Sequence, residues 1–546
     1  QLIDEIKDQI GFRSISFTAN GFFLNGKKRK LIGLDRHQSY PYVGYAMPRR
    51  MQERDAEILR QDLGCHLVRT SHYMQSDHFI RRADEIGLLV LEEIPGWQYI
   101  GNNQFKELSL TNLKTMICHH FNHPSIVLWG VRINESPDDH AFYQETNRLA
   151  KELDSSRPTT GIRNFRHSEF LEDVYSYNDF SHVGDNAGLI HPNRVAGKHA
   201  PYLVTEHNGH IFPTKKTDPE KKLVEQAIRH LTVMDAAYRF DRVSGAIGWC
   251  LADYNTHKEF GSSDRVCYHG VMDMFRIPKI AAMAYASQHL NVPVLEIASS
   301  YTPGEYDESR LPELVIFTNC DSVSVRLNDK LIGTWYPDRK RFRHVPHPPI
   351  ILPDLIGNRM ETEEPYSKAK TRQILKVLRS YFRHGLRMPL ADILRMAWLM
   401  LFRGFSTDEA YRLVGKYIIN WGMDDVTYTF EGIRDNVKII TKTIGRSAER
   451  HLMMSVDDPI LKPKDTYEVT RIVFRLEDGF GNICRNAYDV ISVQVGEGLE
   501  IIGPKQVALI GGSTAVYVRT TRKKGIVPIT CHMEGTTPKS IQITIQ

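Results

Sequence analysis

Two glutamates carry the strongest chemical signal in this chain. The stretch Ile126-Val-Leu-Trp-Gly-Val-Arg-Ile-Asn-Glu-Ser136 is an apolar, β-branched run that ends in Asn134-Glu135. It reads as a buried strand delivering a carboxyl group to the end of a sheet. Pro201-Tyr-Leu-Val-Thr-Glu206-His207 repeats the pattern. Two carboxyl groups at the ends of short buried strands, in a chain that alternates strands and helices, suit cleavage of a glycosidic bond. One protonates the leaving oxygen and the other attacks the sugar.

The elements that must position them follow from hydrophobic periodicity. Strands are expected at 30–35, 66–70, 88–93, 126–131, 159–163, 174–178, 202–206 and 245–250. Helices are expected at 51–63, 76–86, 105–121, 139–153 and 221–240. Eight strands with intervening helices fit the α/β class as a (β/α)8 TIM barrel. A doubly wound sheet is the alternative, but no Gly-rich phosphate loop follows the first strand. The barrel is expected to fill residues 1–292.

Beyond it the period changes to two. Glu313-Leu-Val-Ile-Phe-Thr318 and Ser322-Val-Ser-Val-Arg-Leu327 read as strands, with a hairpin turn at Asn328-Asp-Lys330. A β-sandwich is expected over 293–444, carrying a helical insertion at about 355–421, and a second, immunoglobulin-like sandwich over 445–546. The insertion is basic, with seven Lys and Arg between Lys368 and Arg387. Ile374, Leu375, Leu378 and Phe382 recur there at helical spacing, so a solvated basic face on an amphipathic helix is expected. Its continuation, Met396-Ala-Trp-Leu-Met-Leu-Phe402, is apolar enough to need a covering surface: the barrel, the sandwich or another subunit of a homo-oligomer.

Composition narrows the class. The 546 residues are 41% hydrophobic and 25% charged, as in a globular protein. Seventy basic residues against 65 acidic ones give +5, which does not argue for nucleic acid. Seven cysteines without CxxC pairing argue for reduced thiols and a cytoplasmic setting. No apolar run of about 18 residues occurs, so no membrane partner is expected. The chain starts Gln1-Leu-Ile-Asp, with no initiator Met and no signal-peptide pattern, and reads as a fragment or a processed product.

From Gly11-Phe-Arg13 to about Gln288 the chain resembles glycoside hydrolase family 2, the group of β-galactosidases, β-glucuronidases and β-mannosidases. The resemblance rests on Phe23-Leu-Asn-Gly26, Gly33-Leu-Asp-Arg-His37, Arg69-Thr-Ser-His-Tyr73, Asp84-Glu-Ile-Gly87, His123-Pro-Ser125, Trp129, Asn134-Glu135, Glu206 and Trp249. It implies a retaining exo-β-glycosidase with Glu135 as general acid/base and Glu206 as nucleophile. Such a mechanism wants the acid's pKa raised and the nucleophile ionised. It implies that Asn134 binds the sugar 2-hydroxyl, that Asp35, His37 and His72 belong to the innermost subsite, and that Trp249, ending the eighth strand, forms the floor under the pyranose. Asn178 is expected to touch the nucleophile or the sugar. Asp179-Phe180 stands where many members offer a tyrosine, with Tyr177 as a substitute donor to the nucleophile. Arg69 is expected inside the barrel, holding carboxylates by bidentate contacts.

Departures bear on the substrate. Many members read Trp-x-x-x-Asn-Glu; here one more residue intervenes, which behaves like a bulge and brings Arg132 close to the acid/base. Arg132 either reads a uronic acid carboxylate or points into the barrel to pair with Glu92 or Glu93. The Asn-x-Lys element of β-glucuronidases is not evident; Asn255-Thr-His-Lys258 offers a basic group at another position. β-Galacturonide and β-galactoside are therefore the expected substrates, with β-glucuronide or a non-catalytic carbohydrate-binding barrel as alternatives. Glu92-Glu-Ile-Pro-Gly96 lacks the Glu-x-His of the magnesium-binding members, so no metal and no other cofactor is expected. The family's N-terminal sugar-binding domain has no counterpart in this chain.

Overall fold

A computed structural model describes every residue except 1, 2, 4, 6–9, 184, 185, 210, 211, 258–260, 262, 290, 301–312, 386 and 420–425; of 182, 183, 186, 187, 382, 418 and 419 it describes only the backbone. Eight parallel strands close into a barrel: β1 (Leu31–Asp35), β2 (Leu67–Thr70), β3 (Leu89–Glu93), β4 (Ile126–Arg132), β5 (Thr159–Arg163), β6 (Val174–Asn178), β7 (Tyr202–Glu206) and β8 (Val243–Gly248). Each pairs with its sequence neighbour, and β8 closes on β1. The strands are buried along their whole length, apart from the half-buried Leu89 that opens β3, because helices cover the outer face and side chains fill the inner one.

The covering helices are α1 (Arg49–Glu57), α2 (Asp77–Ile86), α3 (Asn103–His120), α4 (His140–Leu153), α5 (Glu220–Arg239) and α6 (Ile280–His289). A π-helical turn, Ile58–Asp62, extends α1. Among the described residues the β5–β6 connection has no helix, and the β6–β7 connection has a short antiparallel ribbon, His182–Val183 with Asn186–Ala187, and a 3-10 turn, Pro192–Arg194. The amphipathic pattern of α2 is typical: Phe79, Ile80 and Ala83 face the barrel, and Gly87 at φ 70° ends the helix in the left-handed conformation.

The barrel interior is packed at its amino-terminal end. Leu31, Leu67, Leu91, Val127, Leu128, Ile162, Val174, Leu203 and Ile247 meet there, and Phe22 from the preceding antiparallel hairpin plugs the opening. Small residues let the strands close tightly. A Cβ at Gly33 would fall 1.7 Å from the Leu67 carbonyl oxygen. The apolar plug leaves the carboxyl-terminal end of the barrel to carry the polar groups.

After the barrel come a three-stranded and a four-stranded antiparallel sheet, built from residues 295–352 and 427–445. Helices α7 (Arg359–Glu363), α8 (Lys368–His384), α9 (Leu390–Phe402) and α10 (Thr407–Val414) interrupt them. They share a small core of their own around Ile374, Leu378, Leu399, Phe405 and Leu413. The α9 face bearing Leu390, Leu394, Leu401 and Phe402 stays exposed. The expected end of the insertion, Trp421, and the side chain of Phe382 lie outside the described residues. A four-stranded and a five-stranded sheet form the last sandwich, from Arg450 to Ile545. It docks on the barrel through Arg50 Nε to Asp458, 2.7 Å, and Arg471 Nη1 to the Phe275 carbonyl, 2.7 Å.

Candidate active site

The carboxyl-terminal ends of the strands converge on one arginine. Arg69, the last residue but one of β2, is fully buried, and its guanidinium contacts three carboxylates. It grips Glu93 with two bonds of 2.9 Å, reaches Asp35 at 3.1 Å and reaches Glu206 at 2.7 Å. It also donates to Asn134 Oδ1 at 2.9 Å. The expected interior, bidentate Arg69 is thus found, as the hub joining β1, β2, β3, β7 and the turn after β4.

Both strands that carry the candidate glutamates break register just before them. β4 shifts against β5 between Gly130 and Arg132, and β7 shifts against β6 between Val204 and Glu206. The extra residue in Trp129–Glu135 therefore acts as the expected bulge. Glu135 follows with φ 55°, a left-handed conformation that a side-chain-bearing residue adopts only under local constraint. Its amide donates to the Ile162 carbonyl at 3.1 Å, which pins the turn to β5.

Three N–H groups converge on the Glu135 carboxylate: Asn178 Nδ2 at 2.9 Å on one oxygen, and Trp97 Nε1 and Gln98 Nε2, each at 3.2 Å, on the other. Asn178 also accepts from Thr205 Oγ1 at 3.0 Å, so it ties Glu135 to the strand that carries Glu206. Its contact is with Glu135 rather than with Glu206.

The pocket beside this network holds about 390 Å³ and is lined by aromatic and polar side chains, including Tyr45, Trp97, Trp249, Tyr254 and His257. His72 stacks on Trp249 with centroids 5.5 Å apart, and His37 stacks on Tyr254 at 4.2 Å. His72 Nδ1 lies 2.8 Å from Glu93 Oε1. Burial lowers the His72 pKa despite that carboxylate, so the ring is neutral at pH 7 and gives its Nδ1–H to Glu93. Trp249 sits one residue beyond β8, which begins two residues earlier than expected, at Val243.

Charge stoichiometry sets the electrostatics. Burial pushes the Glu206 carboxyl up to about 8; Arg69 opposes the shift and the charge on Glu135 adds to it. Burial likewise pushes Asp35 well above the carboxylate range, with Glu206 and Glu93 adding. Glu93 goes the other way: burial would raise it, but Arg69 and His72 outweigh burial and lower it. One guanidinium cannot hold three buried carboxylates ionised. Asp35 Oδ2 is buried without a hydrogen-bond partner, which makes Asp35 the natural seat of the extra proton.

Three expectations fail for identifiable reasons. Arg132 neither lines the pocket nor pairs with Glu92 or Glu93. The bulge turns it outward, where it binds Asp138 at 2.5 Å and the Ser136 carbonyl at 3.1 Å and lies over the Tyr143 ring of α4. Asp35 is 0% exposed behind Arg69, so it is not presented to a sugar. Tyr177 packs in the outer core, because alternation along β6 sends Asn178 inward and Tyr177 out. Asn255 and His257 line the pocket, while Lys258 lies outside the described residues. Sequence reasoning missed Trp97, Gln98, Tyr45 and Tyr254. The signal for the first two was Pro95-Gly-Trp-Gln98, an aromatic turn directly after a barrel strand.

Comparison with known proteins agrees with this architecture. The family model described as "Glycosyl hydrolases family 2, TIM barrel domain" matches residues 15–294. A β-galactosidase of Thermoanaerobacterium thermosulfurigenes is 43% identical over 522 residues, covering 93% of this chain and 64% of that protein. One from Thermoanaerobacter pseudethanolicus is 39% identical, covering 96% of this chain and 63% of the relative. The chain thus spans just under two thirds of the length of these relatives. Among solved structures, a β-glycosidase from Bacteroides vulgatus shares the fold at a TM-score of 0.70 and 20% identity, covering 98% of this chain and 66% of that one. With the barrel, the paired glutamates and these matches together, the chain belongs to glycosyl hydrolase family 2.

Proposed function

We propose that this chain carries the active site of a retaining exo-β-galactosidase, with Glu206 as nucleophile and Glu135 as general acid and base. One observation carries the reading: carboxyl groups following β4 and ending β7 are joined in one hydrogen-bonded network, close enough that the charge on Glu135 raises the Glu206 carboxyl. The first step needs one proton on such a pair. With that proton on Glu135, Glu206 Oε attacks the anomeric carbon while Glu135 gives the proton to the departing oxygen. Glu135 then takes a proton from water as the water oxygen displaces Glu206 from the same carbon. The anomeric configuration is kept.

The other residues fit supporting roles. Asn134 has its carbonyl oxygen engaged by Arg69, so its NH2 end serves a sugar hydroxyl. Trp249 offers an apolar face to the pyranose, and His72 and His37 flank it. A neutral galactoside is favoured over a galacturonide or glucuronide because Arg132 is committed to Asp138, and the pocket lining includes no Lys or Arg among the described residues. The β-galactosidase relatives support the same choice. We also propose three units, 1–292, 293–444 with its helical insertion, and 445–546; each has a hydrophobic cluster of its own, and Val315, Phe317, Phe342 and Val345 of the second also pack into the barrel's.

Hydrolysis of para-nitrophenyl β-galactoside, β-galacturonide and β-glucuronide, with Glu206→Gln as the blank, tests the proposal. Turnover of the galactoside well above both uronides is expected. Preference for either uronide would overturn the substrate assignment, and full activity in the blank would remove Glu206 as nucleophile.

A further inference from the structure

The first turn of α2 and the last turn of α3 meet in a group of donors that glycoside cleavage does not use. Asp77 opens α2, and His119 and His120 close α3. Asp77 Oδ1 lies 2.9 Å from His119 Nε2 and 3.1 Å from His120 Nε2, and the three atoms lie within 4.8 Å of one another. Among the described residues no other trio of His, Cys, Asp or Glu donors comes this close. On the inner side, His120 Nδ1 sits 2.8 Å from Glu92 Oε2, and both side chains are fully buried. On the outer side, Asp77 and His119 are 42% and 49% exposed, so solvent reaches the converging atoms.

We infer that Asp77, His119 and His120 form a binding site for one transition-metal cation of the zinc class, separate from the sugar pocket. Two imidazole nitrogens and a carboxylate oxygen are a zinc donor set, with a fourth position left for water. Zinc bonds of about 2.0–2.1 Å in a tetrahedron set neighbouring donors roughly 3.3 Å apart, so the two spacings from Asp77 need to open by only a few tenths of an ångström, and the two imidazole nitrogens already lie within 4.8 Å of each other. Glu92 supplies the carboxylate that orients a metal-binding histidine: it accepts from His120 Nδ1, so that a cation can replace the proton His120 Nε2 shares with Asp77. Its other oxygen accepts from the Gln75 amide at 3.2 Å. A cation here would therefore clamp α2 to α3 and brace the loop that carries His72.

The test uses the whole chain, stripped with EDTA and titrated with Zn²⁺ and with Co²⁺. One equivalent of each should bind, cobalt should show the visible absorption of a tetrahedral site, and zinc should raise the unfolding midpoint. His119→Ala and Asp77→Asn, both at half-exposed positions that the fold tolerates, should each weaken binding about ten-fold or more while leaving metal-free hydrolysis unchanged. Absence of stoichiometric binding overturns the inference. So does binding that both variants retain, which would mean scattered surface histidines.

Discussion

Consecutive residues at the end of β1 feed two opposite kinds of charge cluster. Asp35 points inward to the Arg69 hub, where one guanidinium faces Asp35, Glu93 and Glu206. Arg36 points outward to Asp55, where two guanidiniums face one carboxylate: Arg36 at 2.8 Å and Arg276 at 3.0 Å, with Tyr40 donating at 2.8 Å. Both clusters are buried and both consist of arginine and carboxylates. Their stoichiometry differs, and the pKa values follow. Burial would raise Asp55, but Arg276 and Arg36 outweigh it and hold the carboxyl at about 2. Glu206 is pushed up to about 8. The cation-rich cluster fastens α1 and the loop before α6 to the barrel. The cation-poor cluster leaves Glu206 and Asp35 raised, the direction in which burial and uncompensated neighbouring charge drive a carboxyl.

The comparison breaks first on substitution. Glu206→Gln should cost about 10⁴-fold or more in kcat. It should not lower the unfolding midpoint, since it removes an undercompensated charge. A midpoint several degrees below the parent would mean that Glu206 belongs to the scaffold. Asp55→Asn should do the reverse. It leaves two buried guanidiniums undercompensated, at a cost of about 3–5 kcal/mol measured by denaturant unfolding. The kcat of the folded fraction should stay within a few-fold of the parent.

The pH dependence sharpens the contrast. Glu206 has a folded pKa above its unfolded value of about 4.3, so stability should fall as pH rises from there toward 8. Asp55 has a folded pKa below its unfolded value of about 3.9. Its contribution is present above that pH and is lost as pH falls toward 2. Unfolding measured between pH 5 and 8 should therefore show a downward slope in the parent that flattens in Glu206→Gln. An unchanged slope would assign the raised group elsewhere. In Glu135→Gln, assayed on a substrate with a good leaving group, the acid limb of the kcat/KM profile should move to lower pH, because the charge that raises Glu206 is gone. A limb that stays put would uncouple the two glutamates.

The smallest effect concerns Arg132. Arg132→Ala should lower stability through lost packing on Tyr143 but change the ratio of galactoside to galacturonide turnover less than about two-fold. Selective loss on the galacturonide would return Arg132 to the pocket.

Much of the frame was legible in the sequence. The strands at 159–163, 174–178 and 202–206 appear at their expected bounds, because short β-branched runs buried on both sides leave little ambiguity. Glu135, Glu206 and Arg69 were legible because each sits at, or within three residues of, the end of a strand. The orientation of Arg132 was not, since a bulge resets alternation and sequence does not fix which residue is the extra one. Trp97 and Gln98 reach Glu135 from the loop after β3, which lies beside the turn after β4 because β3 and β4 pair in parallel, a meeting that exists only in the folded sheet. The charge balance was invisible for the same reason: one arginine and three carboxylates from four strands become a cluster only in three dimensions.

The most direct test is to trap the intermediate. The chain would be incubated with a 2-deoxy-2-fluoro-β-galactosyl fluoride, digested, and its peptides mapped by mass spectrometry. One fluorogalactosyl group on Glu206 is predicted, absent from Glu206→Gln and released on transfer to an acceptor alcohol. A label on Glu135 or on any other residue would contradict the assignment. Inversion at the anomeric carbon without any adduct would contradict the mechanism.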